Sequence, residues 1–268
     1  MDRPIEDYTQ INARVWDTWA EGGLSYTVPL PHDEFIAAKR GQWSVILTAH
    51  RPVPQEWFRP YLRNGKLDGY RILGLASGGG QQMPVFTALG AACTVMDLSD
   101  SQLASERMVA AREGYEIEIV QADMTKPFPF ENDTFDLIFH PVANCYIEDV
   151  HPVWRECYRV LKPGGVLLAG LDNGMNFLVD DITARPLVIK RGLPVNPLKL
   201  PPDELAELAA SNDGFQFSHT LEDQIGGQLK AGFILTDVYE DVEDHPIAIE
   251  AGIPSFWASR ALKPAKGG

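Results

Sequence analysis

The stretch Ile72-Leu73-Gly74-Leu75-Ala76-Ser77-Gly78-Gly79-Gly80-Gln81-Gln82 constrains the fold more than any other in the chain. An apolar run leads into three consecutive glycines, and Pro84 then opens a second apolar run. A glycine-rich turn between a strand and a helix brings bare backbone close to a ligand, and the helix N-terminus offers unpaired N–H groups to an anion. Proline is tolerated in the first helical turn, so Pro84 suits the start of that helix. A tight turn with no ligand would use the same residues.

From Tyr70 to Gly170 apolar strands alternate with amphipathic helices, which argues for a parallel α/β sheet. The pattern predicts strands at Arg71–Ala76, Cys93–Met96, Glu116–Val120, Phe135–Phe139 and Val166–Ala169. It predicts helices at Pro84–Leu89, Ser101–Glu113 and His151–Leu161, and a turn at Lys162–Gly165. Ser99 with Gln102 reads as a helix start, and Gly114 as its end. Residues 171–202 are proline-rich and aperiodic, as functional lids and substrate caps are. Helices at Pro202–Ala210 and Thr220–Ala231 and strands at Phe233–Tyr239 and Phe256–Ala261 follow. The N-terminal part is rich in Trp, Tyr and Pro. It predicts one short helix over Gln10–Ala20, with Ile11, Val15, Trp16 and Trp19 near one face, and irregular chain over Arg51–Pro60. The expected organisation is an N-terminal lid over 1–69, a nucleotide-binding core over 70–170, a substrate cap over 171–230 and C-terminal strands over 231–268.

Composition narrows the ligand. The formal net charge is −14 over 268 residues, and such a surface repels polyphosphate, so no nucleic-acid partner is expected. Lys190-Arg191 is the candidate basic run. There is no run of 18 uncharged apolar residues, so no membrane span is expected, and the start MDRPIEDYTQ does not read as a secretory signal. Cys93, Cys145 and Cys157 lack CxxC spacing, which suits free thiols and a cytoplasmic setting. No metal-ligand cluster is recognisable.

Asp97 lies nineteen residues after Gly78, at the end of the second strand. An acidic side chain there accepts hydrogen bonds from both hydroxyls of a ribose; a helix-capping aspartate is the plainer reading. The dinucleotide pattern GxGxxG fits poorly. Counted from Gly78 its sixth position is Met83, and counted from Gly74 its second glycine is Ala76.

On these residues the chain resembles the class I S-adenosylmethionine-dependent methyltransferases, over about residues 70–170. Ile72–Gly80 falls on the family's hydrophobic-hydrophobic-Asp-hydrophobic-Gly-x-Gly-x-Gly frame, with Gly74 in place of the acid and Ala76 in place of the first glycine. Met96-Asp97-Leu98-Ser99 matches the ribose-binding strand end. Gln121–Phe139 matches the following pair of motifs, and Glu156–Gly170, with its Leu-Lys-Pro-Gly-Gly turn, matches the later helix-turn-strand. The resemblance implies a Rossmann-like, mostly parallel seven-stranded sheet with helices on both faces, and S-adenosyl-L-methionine as cofactor. The implied cofactor-binding residues are Ala76, Ser77, Gly78, Gly80, Asp97, Leu98, Asp123, Met124 and His140. Ala76 implies a turn that differs slightly from the family's.

Methyl transfer to a small-molecule acceptor is the expected activity. A cofactor-binding module without transfer, and a nicotinamide-dependent oxidoreductase, are the alternatives. His140, at the end of the fourth strand, is the candidate base or places its backbone beside the methionine moiety. Tyr26, Asn144 and Tyr146 are candidate acceptor contacts, or packing and capping residues. The chain is expected to act as a monomer or homodimer.

Overall fold

A computed structural model of the chain describes residues 7–265; the first six residues of the expected lid and the last three of the C-terminal segment lie outside it. Seven strands form one sheet: β1 (Arg71–Leu75), β2 (Ala92–Asp97), β3 (Glu118–Gln121), β4 (Phe135–His140), β5 (Leu161–Asp172), β6 (Ile234–Asp241) and β7 (Phe256–Leu262). Their order is β3-β2-β1-β4-β5-β7-β6, and only β7 runs antiparallel to its neighbours. The helices are α1 (Tyr8–Glu21), α2 (His32–Lys39), α3 (Met83–Ala88), α4 (Asp100–Glu113), α5 (His151–Val160), α6 (Met175–Leu178), α7 (Pro202–Ala210), α8 (Gly227–Ala231) and α9 (Pro246–Ala251).

Both faces of the sheet are covered, which is why its central strands read as nearly continuous apolar runs. Alternate residues feed two cores. Ile72, Val95, Leu137, Phe139 and Leu168 meet Phe86 of α3 and Leu103 of α4. Leu73, Leu75, Met96, Ile138 and Leu167 meet Val153, Trp154 and Cys157 of α5. Each such fully buried side chain contributes about 1.5–3 kcal/mol. A third, smaller cluster joins Ile11 and Val15 of α1 to Leu205 of α7 and to Phe215 and Phe217.

The structure changes the expected organisation in four places. Residues 32–67, within the expected lid, also build core. Phe35, Leu47, Trp57, Phe58 and Leu67 are buried in the first core and help cover one face of the sheet. The Trp57 indole donates to Asp237 at 2.7 Å, so its role is packing. The Lys162–Gly165 turn lies within β5: β4 pairs Phe135 with Leu161 and then Leu137 with Val166, so these four residues bulge from the ladder. The helix expected over Thr220–Ala231 opens with a five-residue π turn, Glu222–Gly226. The Asp223 carbonyl there accepts from the Trp154 indole at 3.0 Å, which ties the π turn to α5. Helices α2, α6 and α9 were not foreseen, because each is short and the apolar pattern over so few residues is ambiguous.

Among the described residues no helix is long and apolar enough to cross a membrane.

Candidate active site

The strand order reverses between β1 and β4, and in an open α/β sheet ligands bind outside the carboxyl ends of the strands at that point. A cavity of about 1280 Å³ opens there. Single-ligand pockets span about 300–1,000 Å³, so it has room for two small molecules side by side.

One end is built by the loop after β1. Ala76 takes φ +46° and donates its N–H to Met96 O at 2.8 Å. It therefore adopts a left-handed turn itself, at a cost of about 1–2 kcal/mol that glycine would avoid, rather than forcing a different turn. A Cβ on Gly78 would lie 2.7 Å from Gln102 Cβ and 3.0 Å from Asp97 Oδ2, so only glycine fits this backbone cradle. Gln102 Oε1, beside it, is buried without a partner. Ser99 caps α4 by accepting from Gln102 N at 3.1 Å, but the reciprocal half of the expected capping box is absent, because Ser99 N donates to Asp97 Oδ1 at 3.0 Å. Asp97 Oδ2 accepts from Gly78 N at 2.9 Å. Burial pushes the Asp97 carboxyl above its ordinary range, against backbone N–H groups that favour the charged form. The N–H groups of Gly78, Leu98 and Ser99 take three of the carboxylate's four acceptor sites and leave room for a further donor.

Gly74, where the family frame has an acid, packs on Met83: a Cβ there would sit 2.8 Å from Met83 Sδ, so an acid would require that buried side chain to shift. Gly80 is turned away from the cavity. Its N–H donates to Glu106 Oε2 at 3.0 Å, its carbonyl accepts from Leu30 N at 2.8 Å, and a Cβ would strike Val109 Cγ2 at 2.7 Å. Its φ of +69° and tight packing on α4 make it a hinge of the loop, not a wall of the site.

Glu106 is the buried anchor of that hinge. It also accepts from the Tyr115 hydroxyl at 3.3 Å, and burial pushes its carboxyl up to about 7. A raised acid favours the folded state below its unfolded value of about 4.5, and that contribution is lost as pH climbs through about 7. Glutamine can accept from Gly80 N and donate to Tyr115. Glu106→Gln should therefore remove roughly 2–3 kcal/mol of the stability that the wild type loses between pH 5 and 8. Denaturant unfolding at both pH values checks this; equal losses in the two proteins would refute it.

Helix α1 closes the same end. Thr9 Oγ1 donates to Asp123 Oδ2 at 3.3 Å, and Asp17 Oδ1 accepts from Ser99 Oγ at 2.6 Å and Ser101 N at 3.0 Å. Asn12, buried on α1, donates to Tyr146 O and Phe215 O at 3.0 Å and accepts from Phe215 N at 2.6 Å. It pins α1 to the cap. Sequence reading passed over it, because its partners lie more than a hundred residues away. Ala76, Ser77, Gly78, Asp97, Leu98, Asp123 and Met124 all line the cavity, as do Thr9, Asn12 and Trp16.

His140 and Asn144 do not line it. His140 is fully buried, with Nδ1 2.9 Å from Leu75 O and Nε2 2.9 Å from Asn144 Oδ1. Burial holds its pKa below the ordinary histidine value. Asn144 in turn donates to Gln224 Oε1 at 2.9 Å. The pair is a buried strut that ties the ends of β1 and β4 to the π turn, and His140 presents no free nitrogen to an acceptor. Tyr146 does reach the cavity, its ring edge-on to Trp16 at 5.3 Å. Tyr26 lines it too, and its hydroxyl donates to Glu243 Oε1 at 3.2 Å.

The other end of the cavity holds groups that sequence reading missed. Asp172, the last residue of β5, is 7% exposed and accepts from Gly174 N at 2.6 Å. Burial, reinforced by the Glu243 charge, pushes its carboxyl up to about 7. Asn176 donates to Glu243 Oε2 at 2.9 Å. The position of Asp172 at a strand's carboxyl end was a usable signal; Glu243 arrives only because β6 and β7 fold back beside β5.

This arrangement has relatives. A family profile described as a methyltransferase domain matches residues 73–169. A protein of Bacillus subtilis (strain 168) described as uncharacterized methyltransferase YbaJ is 40% identical over 255 residues, 94% of this chain and 97% of that one. The ubiquinone biosynthesis O-methyltransferase of Nitrosococcus oceani is 34% identical over 106 residues, 39% of this chain and 45% of that one. A solved S-adenosylmethionine-dependent methyltransferase from Mesorhizobium loti shares the fold with a TM-score of 0.60 at 23% identity, over 76% of this chain and 95% of that one. With the glycine cradle, Asp97 and the strand order in place, the chain belongs to the class I S-adenosylmethionine-dependent methyltransferase family.

Proposed function

We propose that the protein transfers a methyl group to a small organic molecule held in the same cavity as the cofactor. The observation that carries this reading is the continuity of that cavity, which runs from Asp97 and Asp123 to Asp172 and Glu243. The acidic surface, with a net charge of −14, disfavours a polyanionic acceptor. The name of the ubiquinone biosynthesis relative is in keeping with a small acceptor.

S-adenosylmethionine, when bound, supplies a methyl already activated on a sulfonium sulfur. The protein's task is alignment and exclusion of water. In this reading Asp97 accepts from the ribose hydroxyls, and the backbone of Ala76–Gly78 approaches the methionine moiety. Leu98, Asp123 and Met124 border the adenine. Helix α1, held by Asn12 and Asp17, covers the pair. His140 and Asn144 set the ends of β1 and β4 and take no proton.

Calorimetry with S-adenosylhomocysteine against NAD tests the cofactor half. Binding of the first in the micromolar range and none of the second is expected; NAD binding of equal strength would overturn it. Methyl-labelled cofactor with a pool of small metabolites tests the acceptor half, where label in low-mass products is the expected outcome and label confined to RNA or protein the refuting one.

A further inference from the structure

Resting on that reading, we propose that Asp172 is the general base of the transfer and that the acceptor is an uncharged or cationic molecule presenting an O–H or N–H group. Asp172 stands on β5, next to β4 in the sheet, and lines the cavity beyond the glycine cradle. Its carboxylate is fixed by Gly174 N and flanked by Asn176. Asn176 Oδ1 is buried with no hydrogen-bond partner, an acceptor that a ligand's donor would satisfy.

Charge selects the class of molecule. Asp172, Asp180, Glu243 and Asp244 line this end, against Arg191, which is bound to Asp180 at 2.6 Å. A carboxylate or phosphate acceptor would be repelled. Phe177, Val179 and Phe256 supply apolar wall beside them. The acceptor's proton passes to an Asp172 oxygen as its lone pair forms the bond to the methyl carbon. The carbon–sulfur bond breaks, and its electron pair stays on sulfur as a neutral thioether. No other reactant is needed.

Burial places Asp172 near 7, where a base is half ready at neutral pH. The groups around it are Glu243 beyond β6, Asn176 on α6, Cys145 and Tyr146 after β4, and Tyr26 of the N-terminal segment. Burial raises Tyr26 to about 12 and pushes Cys145 and Tyr146 up as well, so these three stay protonated. Burial pushes Glu106 up to about 7 as well, but it lies outside the cavity.

The test begins without turnover. Carbon-13 NMR of the aspartate carboxyls should show one titrating near pH 7 that is lost in Asp172→Asn; no carboxyl above pH 6 assignable to Asp172 overturns the base. S-adenosylhomocysteine affinity should be unchanged in Asp172→Asn, whereas failure of the wild type to bind it would refute the methyltransferase reading itself. Transfer is then measured at saturating labelled cofactor with a panel of phenols, arylamines and matching benzoic acids. Phenols or arylamines are expected to be methylated and benzoic acids not. Transfer only to the acids, or none to any member by a protein that binds the cofactor product, overturns the acceptor class. Rates should rise through pH 7 to a plateau in the wild type and in Glu243→Gln, with the midpoint lower in the variant. They should fall about 100-fold and lose the rise in Asp172→Asn. Should that variant not fold, a flat wild-type profile from pH 5.5 to 8.5 still refutes the proposal.

Discussion

Asp97→Ala is expected to weaken S-adenosylhomocysteine binding by roughly 30- to 900-fold, or about 2–4 kcal/mol. In the proposed placement the carboxylate accepts from two ribose hydroxyls while it holds Gly78 N at 2.9 Å and Ser99 N at 3.0 Å. Losing it removes two charge-assisted bonds to the ligand and two that shape the cradle. Asp97→Asn separates these effects. Its amide oxygen can keep one backbone bond, but its NH₂ group cannot accept from a hydroxyl, so binding should fall nearly as far while folding is better preserved. Calorimetry on protein with native circular dichroism checks both. An unchanged dissociation constant in Asp97→Ala would move the ribose elsewhere.

Gly170→Ala should destabilise the protein by about 3–4 kcal/mol, beyond the usual 1–3 kcal/mol of overpacking. A Cβ at Gly170 would lie 1.9 Å from Leu47 O and 3.0 Å from Val142 N, and Val142 N donates to that same carbonyl at 3.0 Å. All the obstructing atoms are backbone, so no side chain can swing aside. Ser44–Ala49 cross the sheet at this point and line the cavity, so the displacement would also open its wall. For a chain of 268 residues the loss corresponds to a Tm lower by roughly 5–8 °C. Gly192→Ala, where a Cβ would meet nothing within 4 Å, is the matched control. A drop of less than about 2 °C in Gly170→Ala would show that residues 44–49 are not wedged against β5.

Local chemistry in one short window fixed the core of the fold. The glycines at 78–80, Asp97 at the end of β2, Ser99 as a cap and Gly114 as a stop each act within a few residues of themselves, and their spacing survives any tertiary arrangement. The alternation of strand and helix from 70 to 170 was legible for the same reason: both faces of a buried parallel sheet must be apolar, and the helices between must be amphipathic. Asp97, Asp123 and Met124, which the sequence points to in this way, all line one cavity. Gly80 was misplaced because a glycine required for close packing on α4 looks, in sequence, like one required for close approach to a ligand. His140 was misplaced because a strand's last residue can point along the crevice or back into the sheet. Only the approach of its ring nitrogens to Leu75 O and Asn144 Oδ1 decides which. Tertiary structure alone made Asn12 a clasp and Gly170 a crossing point. It alone brought Glu243 to the end of the cavity that Asp172 and Asn176 share. Their meaning depends on partners tens to hundreds of residues away. A sequence states which side chains are available; long-range packing decides which of them share a wall, lose their water and change their proton affinity.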